Sequence, residues 1–316
     1  MESTEFGPKG RKQALPRPYG LLIPIANQLS PFTSRRPREI LAPMNLYWVY
    51  DLPSWLFAVL TITIAVAIGL AGLYASRKWV RRVHGSQHSH NDVVGYYLAA
   101  VCVFYGITLG LLAVATWQNY TDVQTRVGQE AARVGVLYRD VSGFAEPYRV
   151  QLQADLREYT RQVVDVAWPL QRKGIVPESE GEVLNEFERH LTGLEPQTEG
   201  QKALFGEAYT SFNQLADLRG RRLQSVREGL AAPLWTVVFA GAFLSIALTW
   251  FFDMKSLSMH SWMTVMLAAL LGLLVFMLGA LDNPYRGDVS VGPEPFELVY
   301  QRRMMPEPTP SAQPTP

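Results

Sequence analysis

The residues able to do chemistry are few, and each carries a plainer reading beside the sharp one. His84-x3-His88-x-His90 places three imidazoles within seven residues, a spacing that could hold a metal. Asp92 alone stands near enough to complete such a site, and a solvated loop beside a membrane explains the run as well. The acidic run Glu178, Glu180, Glu182, Glu186 and Glu188 suggests calcium, yet lacks the D-x-[DN]-x-[DN]-G order of an EF-hand loop. It reads as a solvated helix face with glutamates near its N-terminus. Arg219, Arg221, Arg222 and Arg227 form a basic cluster that could raise the local anion concentration, or simply face water or lipid headgroups. Cys102 is the one cysteine, so there is no disulfide framework and no thiolate metal cluster, and it reads as a small helix-packing residue. Phosphate loops, H-E-x-x-H, G-x-S-x-G and dinucleotide-binding glycines do not occur. No metal, no cofactor and no enzymatic activity are expected. The net charge of +1 gives no footprint for nucleic acid.

The elements that would position these residues are dominated by the membrane. Of 316 residues 48% are hydrophobic and 18% charged, against about a quarter charged in an ordinary soluble domain. Trp55–Ala75, Val93–Trp117, Leu234–Phe252 and Ser261–Leu281 contain no Asp, Glu, Lys, Arg or His. Each meets the ~20 residues that cross a ~30 Å hydrocarbon core. One charge at the centre of such a helix costs about 2.5–3.5 kcal/mol on insertion scales. The fold class predicted is therefore an all-α membrane protein. Four transmembrane helices are expected, with a soluble helical bundle inserted between spans two and three. Trp48, Trp55, Trp79, Trp117, Trp235, Trp250 and Trp262 stand at or near the span ends, where indoles prefer the headgroup level.

Six segments follow. Residues 1–43 hold seven prolines and seven Lys or Arg without helical period, and are expected to be disordered, with Met44 as the true start. Residues 44–117 form the first transmembrane hairpin, 118–232 the bundle, 233–281 the second hairpin, 282–303 a C-terminal segment and 304–316 a disordered tail. Within the bundle the second span is expected to run on, because Val123, Val127, Ala131, Val134, Tyr138 and Val141 recur at three- and four-residue steps. Pro147 restarts the chain, and Leu152, Leu156, Tyr159, Val163, Val166 and Leu170 make a second stripe. A third, acidic helix spans 178–190. A fourth, over 201–228, carries Phe205, Ala208, Phe212, Leu215 and Leu223 inward.

At about 100° per residue, Gly95, Ala99, Cys102, Gly106, Gly110 and Ala113 share one narrow face of the second span. Small residues allow close helix–helix contact in lipid. The same face could wall a pore whose apolar constriction gates by dewetting. Gly69 and Gly72 in the first span, and Gly272 and Gly279 in the fourth, need no more than packing.

One resemblance bears on the choice. His90-Asn91-Asp92-Val93-Val94-Gly95, Tyr105 with Leu109-Gly110, Trp117-Gln118-Asn119-Tyr120, Glu130-Ala131-Ala132, Leu137-Tyr138, Tyr159 and Trp168-Pro169 resemble the bestrophin-like family. So do Leu281-Asp282-Asn283-Pro284-Tyr285-Arg286-Gly287 and the stretch from Val291 to Phe296. This is a bacterial and plant family of four-span proteins, distantly similar to the bestrophins, which are pentameric anion channels. The resemblance covers Met44 to Leu298; Ala167 departs from it, standing where an acidic residue is expected before Trp168. Its motif residues here are Gly95, Trp117, Tyr120, Glu130, Trp168, Asp282, Pro284 and Gly287. In bestrophins a neck glycine precedes Trp-x-x-Tyr by eleven residues, the spacing of Gly106 and Trp117. Carried across, this implies a pore lined by Ala99, Val103 and Ile107, with Cys102, Gly106 and Gly110 beside them. No match to the bestrophin calcium clasp is seen, since Asp282, Asp288, Glu294 and Glu297 are scattered.

The resemblance thus implies a homo-oligomer, pentameric by analogy, in a bacterial inner membrane and passing chloride or other small anions. A non-conducting scaffold acting through its bundle is the alternative. Charge leaves orientation open: Arg77, Lys78, Arg81 and Arg82 lie at one end of the spans and Arg126, Arg133, Arg286 and the Arg219–Arg227 cluster at the other. Bestrophins keep the bundle and both termini in the cytoplasm, and the resemblance implies the same topology here.

Overall fold

The computed structural model describes Tyr50, residues 52–84 and residues 88–305. The expectations for residues 1–43, for Met44, for the tail beyond Met305 and for the side chains of His84 and His88 lie outside the described residues. The architecture is all-α. Helices α1 (Ser54–His84), α2 (His88–Asp140), α7 (Ala232–Thr249) and α8 (Leu257–Asp282) are long and apolar enough to cross a membrane. Between α2 and α7 stand α3 (Tyr148–Arg161), α4 (Trp168–Arg172), α5 (Ser179–Thr192) and α6 (Glu199–Ser225), and the short α9 (Glu294–Val299) follows α8.

Charge-free runs explain the spans, and glycine explains how two of them meet. An added Cβ on Gly272 of α8 would lie 2.8 Å from Ile62 Cα and 3.0 Å from Thr61 O of α1. On Gly279 it would lie 2.8 Å from the tip of the Phe57 ring, and on Gly69 3.1 Å from Thr264 Cγ2. Close packing is therefore the use of these glycines. Because backbone cannot swing aside as a ring can, Gly272→Ala is expected to lower the melting temperature more than Gly279→Ala. Overpacking of this kind costs about 1–3 kcal/mol, and thermal unfolding of the two variants in one detergent checks the order.

Second-span residues continue without a break into the bundle: α2 is 53 residues long. Val123, Val127, Ala131, Val134, Tyr138 and Val141 are all buried, as their spacing predicts. Helix α6 starts at a capping box in which Thr198 accepts from the Gln201 backbone N–H and Gln201 returns the bond. Its Ala208, Phe212 and Leu215 are buried, while Phe205 and Leu223 are only partly so.

The second stripe needs a correction. Leu152, Leu156, Tyr159 and Val163 are buried, but Val166 is 40% exposed and the inward positions become Ala167 and Trp168. The cause is a π-helical stretch at Gln162–Ala167. Its i→i+5 bonds add a residue to the turn, so every later side chain rotates relative to a 3.6-residue period.

Both ends of the spans are tied by polar contacts. At one end the Asn91 side chain donates to Asp253 O and accepts from Asp253 N, each at 2.9 Å, and His90 Nε2 lies 3.0 Å from Phe251 O. At the other, Asp288 Oδ2 accepts the Ser54 N–H at 2.7 Å, at the N-terminus of α1. That bond holds the Asp288 carboxyl below the usual carboxylate range.

Candidate functional site

Two sets of residues singled out by sequence are placed differently by the fold. The first lies on α2 within the membrane. This helix packs on α7 and α8 through Tyr105, Leu109 and Leu112, which join a buried cluster with Val238, Ile246, Ala268, Leu271 and Leu278. The Tyr105 hydroxyl donates to Val238 O at 2.7 Å, which satisfies a polar group inside the apolar layer. Ala99, Val103, Gly106, Ile107 and Gly110 lie together on the outward face, Val103 being 59% and Ile107 58% exposed. A Cβ added to Gly95, Gly106 or Gly110 would meet nothing within 4 Å. Cys102 sits half-buried at the edge of this face, and Ala113 packs against the buried cluster. The stripe from Ala99 to Gly110 is thus not what joins α2 to the other described helices, although Ala113 at its end does pack on them. Trp117, at the foot of the stripe, is 53% exposed and stacks on Tyr120 with centroids 5.8 Å apart.

The second set converges inside the bundle, on a residue whose burial the run of arginines around it conceals. Arg222 of α6 is fully buried. Its Nε donates to Glu130 Oε2 at 2.7 Å, and its Nη2 to Glu130 Oε1 at 3.2 Å and Glu180 Oε2 at 2.8 Å. Tyr159 OH donates to Glu130 Oε1 at 2.6 Å, and Arg219 Nε lies 3.4 Å from Glu180 Oε1. The guanidinium carbon stands 5.9 Å from the ring centroids of both Trp168 and Phe296, a cation–π distance. Trp168 also meets Tyr285 at 5.7 Å. The motif residues Glu130 and Trp168 therefore come together around an arginine of α6: α2, α4, α5 and α9 each send it a side chain, and Tyr159 of α3 braces Glu130 from behind.

This geometry corrects two readings. Glu180 is not on a solvated face: it is fully buried, because Arg222 and Arg219 neutralise it. The Arg219–Arg227 cluster is not one surface patch either. Arg222 is buried and the Arg219 side chain 19% exposed, whereas Arg221 is 61% exposed and pairs with Asp217 at 3.0 Å. Periodicity held the signal. Arg222 lies seven residues beyond Leu215, on the inward stripe of α6, and Glu130 falls between Val127 and Val134 on that of α2.

Burial and two carboxylates oppose each other at Arg222. Desolvation alone would lower its affinity for a proton, and Glu130 with Glu180 more than reverse that, so it stays charged. Burial, then the Glu130 charge, pushes the Tyr159 phenol well above its ordinary value. Burial likewise pushes the Tyr285 phenol up to about 12; its hydroxyl donates to Arg222 O at 3.3 Å and lies 3.0 Å from Ser225 Oγ. A phenol raised on folding contributes stability that is complete below its unfolded value of about 10. That contribution is lost as pH climbs through about 12. Alkaline unfolding of the bundle is therefore expected in this window, and Tyr285→Phe should move its midpoint to higher pH in a helix-content titration.

The other motif residues secure the membrane end of the bundle. Asp282 closes α8 and accepts from Tyr50 OH at 3.3 Å, Trp235 Nε1 at 3.4 Å, Asn283 Nδ2 at 3.4 Å and the Leu230 N–H. Pro284 is buried, its carbonyl accepting the Val291 N–H at 2.7 Å. Gly287 has φ +80, a left-handed turn that favours glycine. Among the described residues no three His, Cys, Asp or Glu side chains gather as a metal site. Asp282 and Asp288 serve instead as acceptors, Asp282 for Tyr50 and for Leu230 and Trp235 around the start of α7, and Asp288 for the first N–H of α1.

Comparison with known proteins agrees with this architecture. The model of the Bestrophin-like domain matches residues 63–296. No curated protein matches the chain. Among solved structures, the chain is similar to a mutant bacterial bestrophin homologue from Klebsiella pneumoniae, with 11% identity and a TM-score of 0.57 over 78% of this chain and 97% of that one. A second crystal structure of a bestrophin homologue from the same organism gives 12% identity and a TM-score of 0.57, over 78% of this chain and 96% of that one. With most of its length matched by the family model, and with four spans around an inserted bundle, the chain belongs to the bestrophin-like family of membrane proteins.

Proposed function

We propose that this protein is an oligomeric, anion-permeable channel, pentameric by analogy with the bestrophins, in which copies of α2 surround the conducting axis. The observation that carries this reading is the outward face of α2. Among the described residues, Ala99, Val103, Gly106, Ile107 and Gly110 find no partner helix, and the glycines have open space where a side chain would be. A ring of such faces makes a narrow apolar neck. A neck of this kind favours anions that shed water easily and can close by dewetting. Arg222 adds nothing to anion attraction, because Glu130 and Glu180 consume its charge.

The same open glycine face also suits direct helix–helix contact between copies, which supports the second reading, a non-conducting scaffold. Recording from the purified protein in a planar bilayer, in chloride against a bulky anion, tests the choice. Anion-selective current supports the channel. A folded oligomer silent across voltage, calcium and pH supports the scaffold, and a monomer or antiparallel dimer removes the axis altogether.

In this reading the bundle and both termini lie in the cytoplasm of a bacterium, with the protein in its inner membrane. A cysteine replacing Gln87 between α1 and α2 should then react with an impermeant thiol reagent added outside intact cells. Protection there reverses the orientation.

A further inference from the structure

Polar atoms buried without a partner are rare in folded proteins, and here they cluster. Eight buried side-chain nitrogens and oxygens among the described residues have no hydrogen bond, and seven belong to Trp168, Gln171, Ser179, Glu180, Arg219 and Arg222. Glu180, Arg219, Arg222 and Trp168 adjoin in space, and Gln171 and Ser179 lie close to Trp168 and Glu180 along the chain. Arg222 reaches Glu180 at 2.8 Å, and its guanidinium carbon is 5.9 Å from the Trp168 ring. Gln171 stands one turn beyond Trp168 on the same side of α4, and Ser179 precedes Glu180. Glu180 Oε1 and Arg219 Nε face each other at 3.4 Å and largely answer one another. That leaves Trp168 Nε1, Arg222 Nη1, both ends of the Gln171 amide and Ser179 Oγ.

The chemistry of the unanswered atoms defines what would satisfy them. Trp168 Nε1 and Arg222 Nη1 are donors only, the Gln171 oxygen is an acceptor only, and a serine hydroxyl can be either. The guest must both accept and donate. Charge points the same way, since two carboxylates (Glu130, Glu180) face two guanidiniums (Arg219, Arg222) and leave nothing to draw in an ion. We propose that ordered water is built into the bundle beside Arg222, bridging Trp168 Nε1 and Arg222 Nη1 to the Gln171 amide and Ser179. Folded proteins carry about one such water per 27 residues, each making about three hydrogen bonds.

The sign of a stability change tests this. In a dry site, replacing the unpaired Gln171 amide by an apolar side chain of similar length removes a penalty and raises the melting temperature. In a hydrated site it strands the bridging water and its other partners. Gln171→Met in the full-length protein in detergent is therefore expected to melt lower by about 3 °C or more; an equal or higher melting temperature overturns the proposal. Should that variant fail to fold, Ser179→Ala carries the same expected direction and the same overturning result. Melting of the unsubstituted protein in sodium chloride, sodium bromide and sodium isethionate of equal ionic strength is expected to be unchanged. A rise specific to halide would replace water with an anion. A density map fine enough to resolve solvent should carry peaks within hydrogen-bonding distance of Trp168 Nε1 and Arg222 Nη1, and their absence overturns the assignment.

Discussion

Arg222→Met is expected to abolish the folded helical bundle, with purified protein losing its monodisperse elution and its cooperative melt. The substitution keeps an unbranched side chain at the site but leaves Glu130 and Glu180, both fully buried, with their main counter-charge gone. Removing one partner of a buried ion pair costs about 3–5 kcal/mol, a large share of the roughly 5–15 kcal/mol that holds a domain together. The damage lies in the stranded carboxylates rather than in the missing arginine. A triple variant, Arg222→Met with Glu130→Gln and Glu180→Gln, should therefore recover much of the lost stability. Arg222→Lys should fall between, because one ammonium cannot reproduce a fork in which Nε and Nη2 both engage Glu130. An unaltered melt for Arg222→Met would show that the arginine is not what neutralises this core.

Val103→Trp should leave a well-folded oligomer that no longer conducts. Val103 is 59% exposed on α2 and lies outside the buried cluster that packs this helix on α7 and α8, so the indole leaves that packing undisturbed. Around an axis, each copy adds one ring to the same level of the neck. At least a tenfold fall in single-channel current, or outright silence, is the expected reading in the bilayer. Phe104→Trp is the matched control: Phe104 is 74% exposed, but lies about 100° further round the helix, and its variant should conduct normally. Current that survives Val103→Trp would leave a channel while removing α2 from its narrowest part.

Much of this fold is readable from residue order, and the exceptions have definite causes. The spans announce themselves because a charge in lipid is costly, so four charge-free runs of this length point to the membrane and to little else. Helices α2, α3 and α6 show their buried sides through spacing alone. The π turn at Gln162–Ala167 does not, since a 3.6-residue ruler laid through it keeps Val166 inside and puts Trp168 at the wrong angle. Arg222 is hidden by its company: among Arg219, Arg221, Arg222 and Arg227, only the stripe it shares with Leu215 marks it as internal. Glu180 is hidden the same way among glutamates. Glycine is the least legible of all. Gly272 meets the α1 backbone and Gly106 meets nothing, yet both sit in equally apolar sequence, because the difference lies in which helices become neighbours.

The unbroken course of α2 has a mechanical consequence. At 1.5 Å per residue, its 53 residues make a rod about 80 Å long. Glu130, clamped by Arg222, lies 27 residues from Val103, a separation of about 40 Å. A tilt of one degree at the clamp would carry Val103 sideways by about 0.7 Å, with no hinge between them to absorb it. In the proposed pentamer, five such levers moving together would change the width of the neck by more than an ångström. Small rearrangements around one buried arginine, far from the membrane's centre, are thus geometrically amplified at the place where the helices would close on the axis.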